Sequence, residues 1–507
     1  MVVGKKGWCD QTVLCQWAMN NLLLLLTLIG VIVGFLLVLI MRPYNPSDDT
    51  IMWIGMPGEL FLRGLEMTII PLLVSTVITA VAGLELKENG RMAAWSFFYF
   101  VCTTSIGITT GIVMTALIRP GEQFAIPGKD SPEPAQQTVH YQTQDVFADL
   151  LRNLIPSNII RACFQSTFTK YESKEVENTE NVNGTSTTTT LTKQLAMTNR
   201  TNIMGVVIFC IACGMAMSVE RVKTKPLLDF MWALRTVIFK VFGAFIWSLP
   251  VATASLIAAS LLKVEDLLIV EEELGMFVAT VITVLFLHFF ASIPGLYFIF
   301  TRKNAFKVYG AVNKAIITSM VIKSGAGALP IMMKCCETGR EKMHRSVSSF
   351  VLPLCVCFKG DASAAFIMCS VLWLGQRAGI FMSMAELIAL GIMSTFLCLC
   401  IPPIPSASMV IIILICNSVG VPTQDLGLLL ALEWLLDSLR TGVNNGSHAM
   451  CAATVNHAMR HRFKKKDKVK TLALNSNHEH QLNQITVDSE DNTDLENDTR
   501  PLILSQY

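Results

Sequence analysis

Ser324-Gly325-Ala326-Gly327-Ala328-Leu329-Pro330 interrupts an apolar run that extends from Tyr309 to Glu337. A second run, Met382 to Val421, is interrupted by Cys400-Ile401-Pro402-Pro403-Ile404-Pro405-Ser406. A helix needs roughly 20 apolar residues to cross a bilayer, and each half of these runs is shorter than that. Two halves that cannot cross, joined at mid-depth by helix-breaking residues, describe a re-entrant hairpin. Irregular backbone at that depth is tolerated only where protein buries it or where it lines a cavity. Paired broken segments point to a transporter site. The competing reading is a pair of long kinked helices.

Composition agrees with a membrane location. Of the 507 residues 52% are hydrophobic and 15% charged, and mean hydropathy is +0.51, which excludes an ordinary soluble enzyme. A net charge of +2 carries no nucleic-acid signal. The 15 cysteines show no paired metal-ligand spacing and read as small apolar residues, so no cofactor is expected. Candidate spans are 17–41, 52–83, 93–118, 203–219, 229–262 and 274–300, with interrupted apolar material from 309 to 456. The best arrangement is an all-α integral membrane fold of eight transmembrane helices plus two re-entrant helical hairpins, about 309–337 and 382–421.

Lysine and arginine placement orients the chain. Lys5, Lys6, Lys87, Arg91, Arg221, Lys223, Lys225, Arg302, Lys303, Lys307 and the run Arg460 to Lys470 fall on one side if both termini are cytoplasmic. The segment Lys263 to Glu273 is acidic and reads as an outside loop. Residues 120–200 form a polar outside insertion with two glycosylation sequons, at Asn183 and Asn199. Within it, Asp145 to Phe168 has amphipathic helical spacing, while Ser173 to Lys193 is low-complexity and expected to be disordered. The tail beyond Arg462 starts basic, ends acidic, and is expected to lack structure.

Two stretches between and after the hairpins carry ionisable groups inside apolar helix. Cys357-Phe358-Lys359-Gly360-Asp361-Ala362-Ser363 interrupts the helix Phe350 to Gln376, and Gly360 permits unwinding there. A lysine and an aspartate two residues apart in a span cannot both stay unpaired. Downstream, Asp437, Arg440, Thr441, Asn444 and His448 recur at spacings of three and four, so they share one helical face. Such a polar stripe in an apolar helix reads as a binding site. The plainer alternative is that Asp437 and Arg440, at i and i+3, only neutralise each other. No nucleophile–base arrangement is readable, so an enzyme is not expected.

At these residues the chain resembles the excitatory amino acid transporter family, the sodium-coupled glutamate, aspartate and neutral amino acid carriers. The likeness covers most of residues 14–460. It rests on Arg63 to Glu85, Asp145 to Gln165, Leu296 to Asn304, Phe350 to Pro353, Ser418 to Thr423 and Trp434 to Thr441. It implies a plasma-membrane homotrimer among lipids, with a scaffold domain and a moving transport domain. On that scheme residues 1–16 are a cytoplasmic N-terminus, 17–92 scaffold helices 1 and 2, and 93–118 transport helix 3. Residues 119–262 supply scaffold helices 4 and 5, 263–457 the rest of the transport domain, and 458–507 a cytoplasmic tail.

Carried over by position, Asp437 resembles the aspartate that holds the substrate amino group, and Arg440 the arginine that clamps a side-chain carboxylate. Thr441 and Asn444 match residues that position the backbone carboxylate. Thr103 and Thr104 match hydroxyls of a sodium site, although threonines also serve helix packing in membranes. The implied cargo is an acidic amino acid with Na⁺ as coupled ion.

The departures concern cation coupling. The family's Asn-Met-Asp-Gly-Thr reads Lys359-Gly360-Asp361-Ala362-Ser363, and a sodium-ligating aspartate becomes His448. The serine-rich tip of hairpin one, part of the substrate site, reads Lys323-Ser324-Gly325-Ala326, which leaves Ser324 as the carried-over residue. Hairpin two's glycine-rich tip becomes Cys400-Ile401-Pro402-Pro403, and Phe366-Ile367 stands where the family has Tyr-Glu. Lys359 thus places a tethered ammonium beside Asp361, where a sodium ion would otherwise neutralise it. That expectation favours weak sodium dependence or a sodium-independent exchanger. The alternative of another class is a transport-inactive ligand sensor or anion conductance.

Overall fold

The computed structural model describes residues 22–83, 86–121, 143–177, 187–263, 267–339, 342–398 and 407–491. The Cys400 to Ser406 tip, Asn183 and the first sixteen residues lie outside them. Apart from one two-stranded ribbon, the described residues are mostly helical. Helices occupy the described part of each expected span: α1 (Leu22–Met41), α2 (Asp48–Ala82) and α3 (Leu86–Ile118) come first. After the insertion follow α6 (Ile203–Val219), α7 (Lys225–Ile246) and α8 (Leu249–Leu262). The last two are bent by 52° into one broken span. Ser248, Leu249 and Pro250 at the junction explain the bend, because proline suits the first turn of a new helix.

The second half opens with α9 (Leu267–Leu287), which passes through a π-turn at His288–Ser292 into α10 (Ile293–Thr301). Then come α11 (Ala305–Ile322), α12 (Gly325–Thr338), α13 (Arg345–Phe358), α14 (Asp361–Arg377), α15 (Met384–Cys398) and α16 (Ala407–Val419). The last helix, α17, runs from Leu426 to Asp491. Six helical runs among the described residues are long and apolar enough to cross a membrane.

Both interrupted runs fold back on themselves. A Cβ built on Gly339 would lie 3.2 Å from the Cβ of Ala311, 28 residues earlier. A continuous helix would hold those positions about 42 Å apart. Reversal occurs at two residues: Lys323 takes the left-handed conformation (φ 51°) and closes α11, and Ser324 is extended, its Oγ accepting from Gly327 N at 3.1 Å. The break is therefore narrower than Ser324 to Pro330, and Pro330 sits inside α12. In the second hairpin, Ser418 Oγ reaches Met393 Sδ at 3.6 Å across the pair α15 and α16. Kinked continuous helices cannot give these contacts.

Three expectations need correction. Within the stretch expected to be disordered, 173–177 and 187–193 are strand: β1 (Ser166–Glu177) and β2 (Thr187–Thr198) pair antiparallel in register, Ser166 opposite Thr198 and Glu177 opposite Thr187, and the residues between them lie outside the described ones. The threonine run favours strand, since β-branched residues suit a pleated ribbon. The amphipathic helix is shorter than expected, with α4 (Thr143–Leu154) ending before Pro156 and a short α5 (Ile159–Ala162) beyond it. α4 fastens the ribbon, because Asn153 exchanges two hydrogen bonds with the Thr167 backbone and Asp149 accepts from Thr169 N at 2.6 Å. Third, the tail does not begin unstructured, since α17 continues to Asp491 through a segment without glycine or proline.

Packing sorts the helices into two groups. α1, α2, α6, α7 and α8 pack mainly on one another, with α2 in contact with the other three of the later set. α3 and α9 to α17 form the other group, in which α14 lies against α3, α9 and α17. α14 holds the deepest core, since Phe366, Ile367, Met368, Cys369 and Trp373 are all fully buried. Gly107 and Gly111 on α3 let it in. Added Cβ atoms there would stand 3.0 Å from Asp361 O and 2.8 Å from Ala365 O. Glu273, read from sequence as part of an outside loop, is instead buried in α9 and paired with Arg377, whose Nε also meets Asp425 at 2.8 Å.

Candidate functional site

α13 ends at Phe358 and α14 starts at Asp361, with Lys359 extended and Gly360 non-helical between them. This is the unwinding that Gly360 permits. The break exposes two helix ends of opposite sign. Lys359 caps the C-terminal, electronegative end of α13, and Asp361 begins the N-terminal, electropositive end of α14, so each charge meets the complementary dipole.

α17 runs antiparallel across this break and presents its stripe to it in register. The Arg440 guanidinium carbon lies 4.0 Å over the Phe366 ring. One turn on, Asn444 accepts from Ala362 N at 2.9 Å and donates to Ser363 Oγ at 3.0 Å, satisfying a first-turn donor of α14. A further turn on, His448 Nε2 is 2.7 Å from the Lys359 carbonyl oxygen. A carbonyl only accepts, so Nε2 carries the proton. Arg440, Asn444 and His448 are thus one face, as their spacing requires.

Two charge clusters lie along that face. In the first, Arg440 Nη2 donates to Glu433 Oε1 at 2.7 Å and to Asp437 Oδ1 at 2.9 Å. Arg440 is fully buried, and its Nε and Nη1 have no acceptor among the described residues. The Asp437–Arg440 pair foreseen as an alternative does form, yet it engages only one nitrogen of the guanidinium. Thr441 Oγ1 donates to the Asp437 carbonyl at 2.8 Å and so turns back into its own helix. Ser324 serves as the N-cap of α12, and the adjacent Gly325 lies close to Asn445 and His448. Hairpin one is tied to α17 beside this cluster, with Lys323 Nζ donating to Trp434 O at 2.6 Å and Ser438 Oγ to Met320 O at 2.6 Å.

The second cluster centres on Asp361, which is fully buried. Its Oδ2 lies 2.5 Å from Lys359 Nζ, 2.6 Å from Ser447 Oγ and 3.2 Å from His288 Nε2. Lys359 Nζ also donates to Ser447 and stands 5.7 Å from the centre of the Tyr99 ring. Thr103 and Thr104 lie about one helical turn before Gly107, which abuts Asp361. Thr103 Oγ1 is engaged with Tyr99 O at 3.0 Å, and Thr104 Oγ1 is buried without a partner among the described residues.

Sequence reading missed His288, Glu433, Ser447 and Tyr99. His288 and Glu433 are ionisable residues in apolar helix, so the rule that singled out Asp437 applies equally to them. The π-turn that aims His288 at Asp361 is a feature found often at functional sites. Ser447 and Tyr99 carried no signal, since serines and tyrosines are common in spans. In the insertion, Asn199 is exposed and Thr201 Oγ1 donates to Cys163 O at 3.1 Å.

The sodium:dicarboxylate symporter family model matches residues 22–458. The chain belongs to this family. Among similar proteins is the putative sodium-dependent excitatory amino acid transporter glt-3 of Caenorhabditis elegans, 32% identical over 87% of this chain and 82% of that protein. Human excitatory amino acid transporter 2 is 32% identical over 88% of this chain and 80% of its own length. Excitatory amino acid transporter 4 of Mus musculus is 31% identical over 86% and 83%. As a member of this family, with helices to match, the chain is a multi-pass membrane protein.

Proposed function

We propose that this family member is a secondary active carrier of acidic amino acids, L-glutamate and L-aspartate, across the plasma membrane, with altered sodium coupling. Arg440 carries the reading: it is a fully buried guanidinium whose Nε and Nη1 lack acceptors among the described residues. Buried donors normally find partners, so two free ones on a permanent cation favour an anionic ligand. An acidic amino acid can exchange with the Asp437–Arg440 pair, its ammonium going to Asp437 and one carboxylate to Arg440, while its second carboxylate adds one negative charge for the free guanidinium donors to meet. On this reading Asn444 and Thr441 position the backbone carboxylate, and Ser324 belongs to the substrate site from hairpin one. The names of the relatives agree with this cargo and with sodium as the coupled ion.

On the same reading, α1, α2 and α6 to α8 are the scaffold of a homotrimer, while α3 and α9 to α17 move as the transport domain. The division of packing between the two groups supports this. The termini are cytoplasmic, and Asn183 and Asn199 are glycosylated outside. A sodium-independent exchanger is the second reading, favoured by the Lys359–Asp361 pair.

The test is initial-rate uptake of radiolabelled L-glutamate and L-aspartate in cells expressing the chain, in sodium and then in choline. Saturable uptake that Arg440→Cys removes is expected. Absence of uptake despite surface expression would leave the sensor or anion-conductance reading instead.

A further inference from the structure

We infer that the Lys359 ammonium is a built-in replacement for a coupled alkali cation at the broken helix, so that the Asp361 site takes no sodium. Its consequence for coupling rests on the carrier reading above; the site assignment does not. In transporters with broken helices, unwound carbonyls and half-helix ends inside the membrane coordinate the coupled ion. The break between Phe358 and Asp361 offers such a set: a carboxylate, a free carbonyl and nearby side-chain oxygens.

Here three of these oxygens, Asp361 Oδ2, the Lys359 carbonyl and Asn444 Oδ1, are already committed. Asp361 Oδ2 receives Lys359 Nζ at 2.5 Å and Ser447 Oγ at 2.6 Å, with His288 Nε2 at 3.2 Å. The Lys359 carbonyl receives His448 Nε2 at 2.7 Å, and Asn444 Oδ1 receives Ala362 N at 2.9 Å. The Tyr99 ring, 5.7 Å from Nζ, gives the ammonium a further favourable surface. Lys359 and Asp361 side chains are both fully buried. Their charges cancel, and a sodium ion added beside them would leave an unmatched positive charge out of water, which is costly.

Two residues therefore act together. Lys359 supplies the charge that an ion would bring, and His448 supplies a donor that occupies the carbonyl the ion would use. A carboxylate at position 448 would do the reverse. His288 Nε2 stands 3.2 Å from the shared Asp361 oxygen, on the π-turn.

The test compares thermal unfolding of the full-length purified protein, without amino acid, in sodium chloride and choline chloride at equal ionic strength. Lys359→Asn/His448→Asp is expected to gain a saturable sodium-dependent rise in Tm of about 2 °C or more over that of the wild type. A folded double variant with no extra sodium response would overturn the inference. The wild type supplies an independent measure, which matters if the variant misfolds. Crystals soaked in thallium(I) are expected to show no anomalous peak in contact with Asp361, and a peak there would overturn the inference. Neither readout involves transport, so loss of uptake with both results intact would sink only the carrier reading.

Discussion

The two buried charge clusters of α17 differ in how completely their central cation is satisfied. Around Arg440 two carboxylates face one guanidinium, Nη2 alone donates to them, and Nε and Nη1 have no acceptor among the described residues. Around Asp361 one lysine, one serine and one histidine converge on a single oxygen, and the nearby backbone carbonyl is taken as well. The first has room in its bonding for a visitor; the second is closed by the protein's own chain. Burial alone does not distinguish a ligand site from an internal bridge, because both clusters are almost dry. The position of the unmet groups does: among the described residues they sit on the cation itself in the first cluster, at Arg440 Nε and Nη1, and on groups around the Lys359–Asp361 pair in the second, such as Thr104 Oγ1 and Tyr99 Oη.

The comparison breaks most readily at Asp361. Asp361→Asn strands the Lys359 ammonium without a counter-charge, and a loss of about 3–5 kcal/mol of stability is expected. Thermal unfolding in detergent would measure it. Asp361→Asn/Lys359→Met removes both charges and should recover most of the loss, since deleting a buried pair together is often nearly neutral. If the single variant melted like the wild type, the cluster would not be the closed bridge described here.

A smaller effect is expected at the α3–α14 contact that holds Asp361 in place. Gly111→Ala puts a Cβ 2.8 Å from Ala365 O, against backbone that cannot step aside. Overpacking of this kind costs about 1–3 kcal/mol. A lower Tm together with slower uptake would follow, whereas an unchanged Tm would mean that α14 is less tightly held than its contacts indicate. The smallest effect belongs to the surface. Lys223 and Glu220 stand 3.7 Å apart with side chains 84% and 60% exposed, and Lys223→Ala should change stability by less than about 0.5 kcal/mol in the same melt.

Much of this molecule is legible without coordinates. Hydrophobic length set the spans, because a bilayer demands long apolar helices. Breaks in two apolar runs specified the hairpins, because half-spans must return. The stripe from Asp437 to His448 and the Lys359–Asp361 juxtaposition follow from helical period and from the cost of lone charges in an apolar span. These are local rules, acting within one turn or one span. Tertiary structure decided what such rules cannot reach. It brought His288 from the π-turn and Ser447 from α17 to one oxygen of Asp361, and it set Glu433 beside Arg440. It also paired the threonine-rich strand with its partner in the insertion. Each of these depends on partners far apart in the chain, and spacing within a segment holds no information about which distant atom completes a buried hydrogen bond.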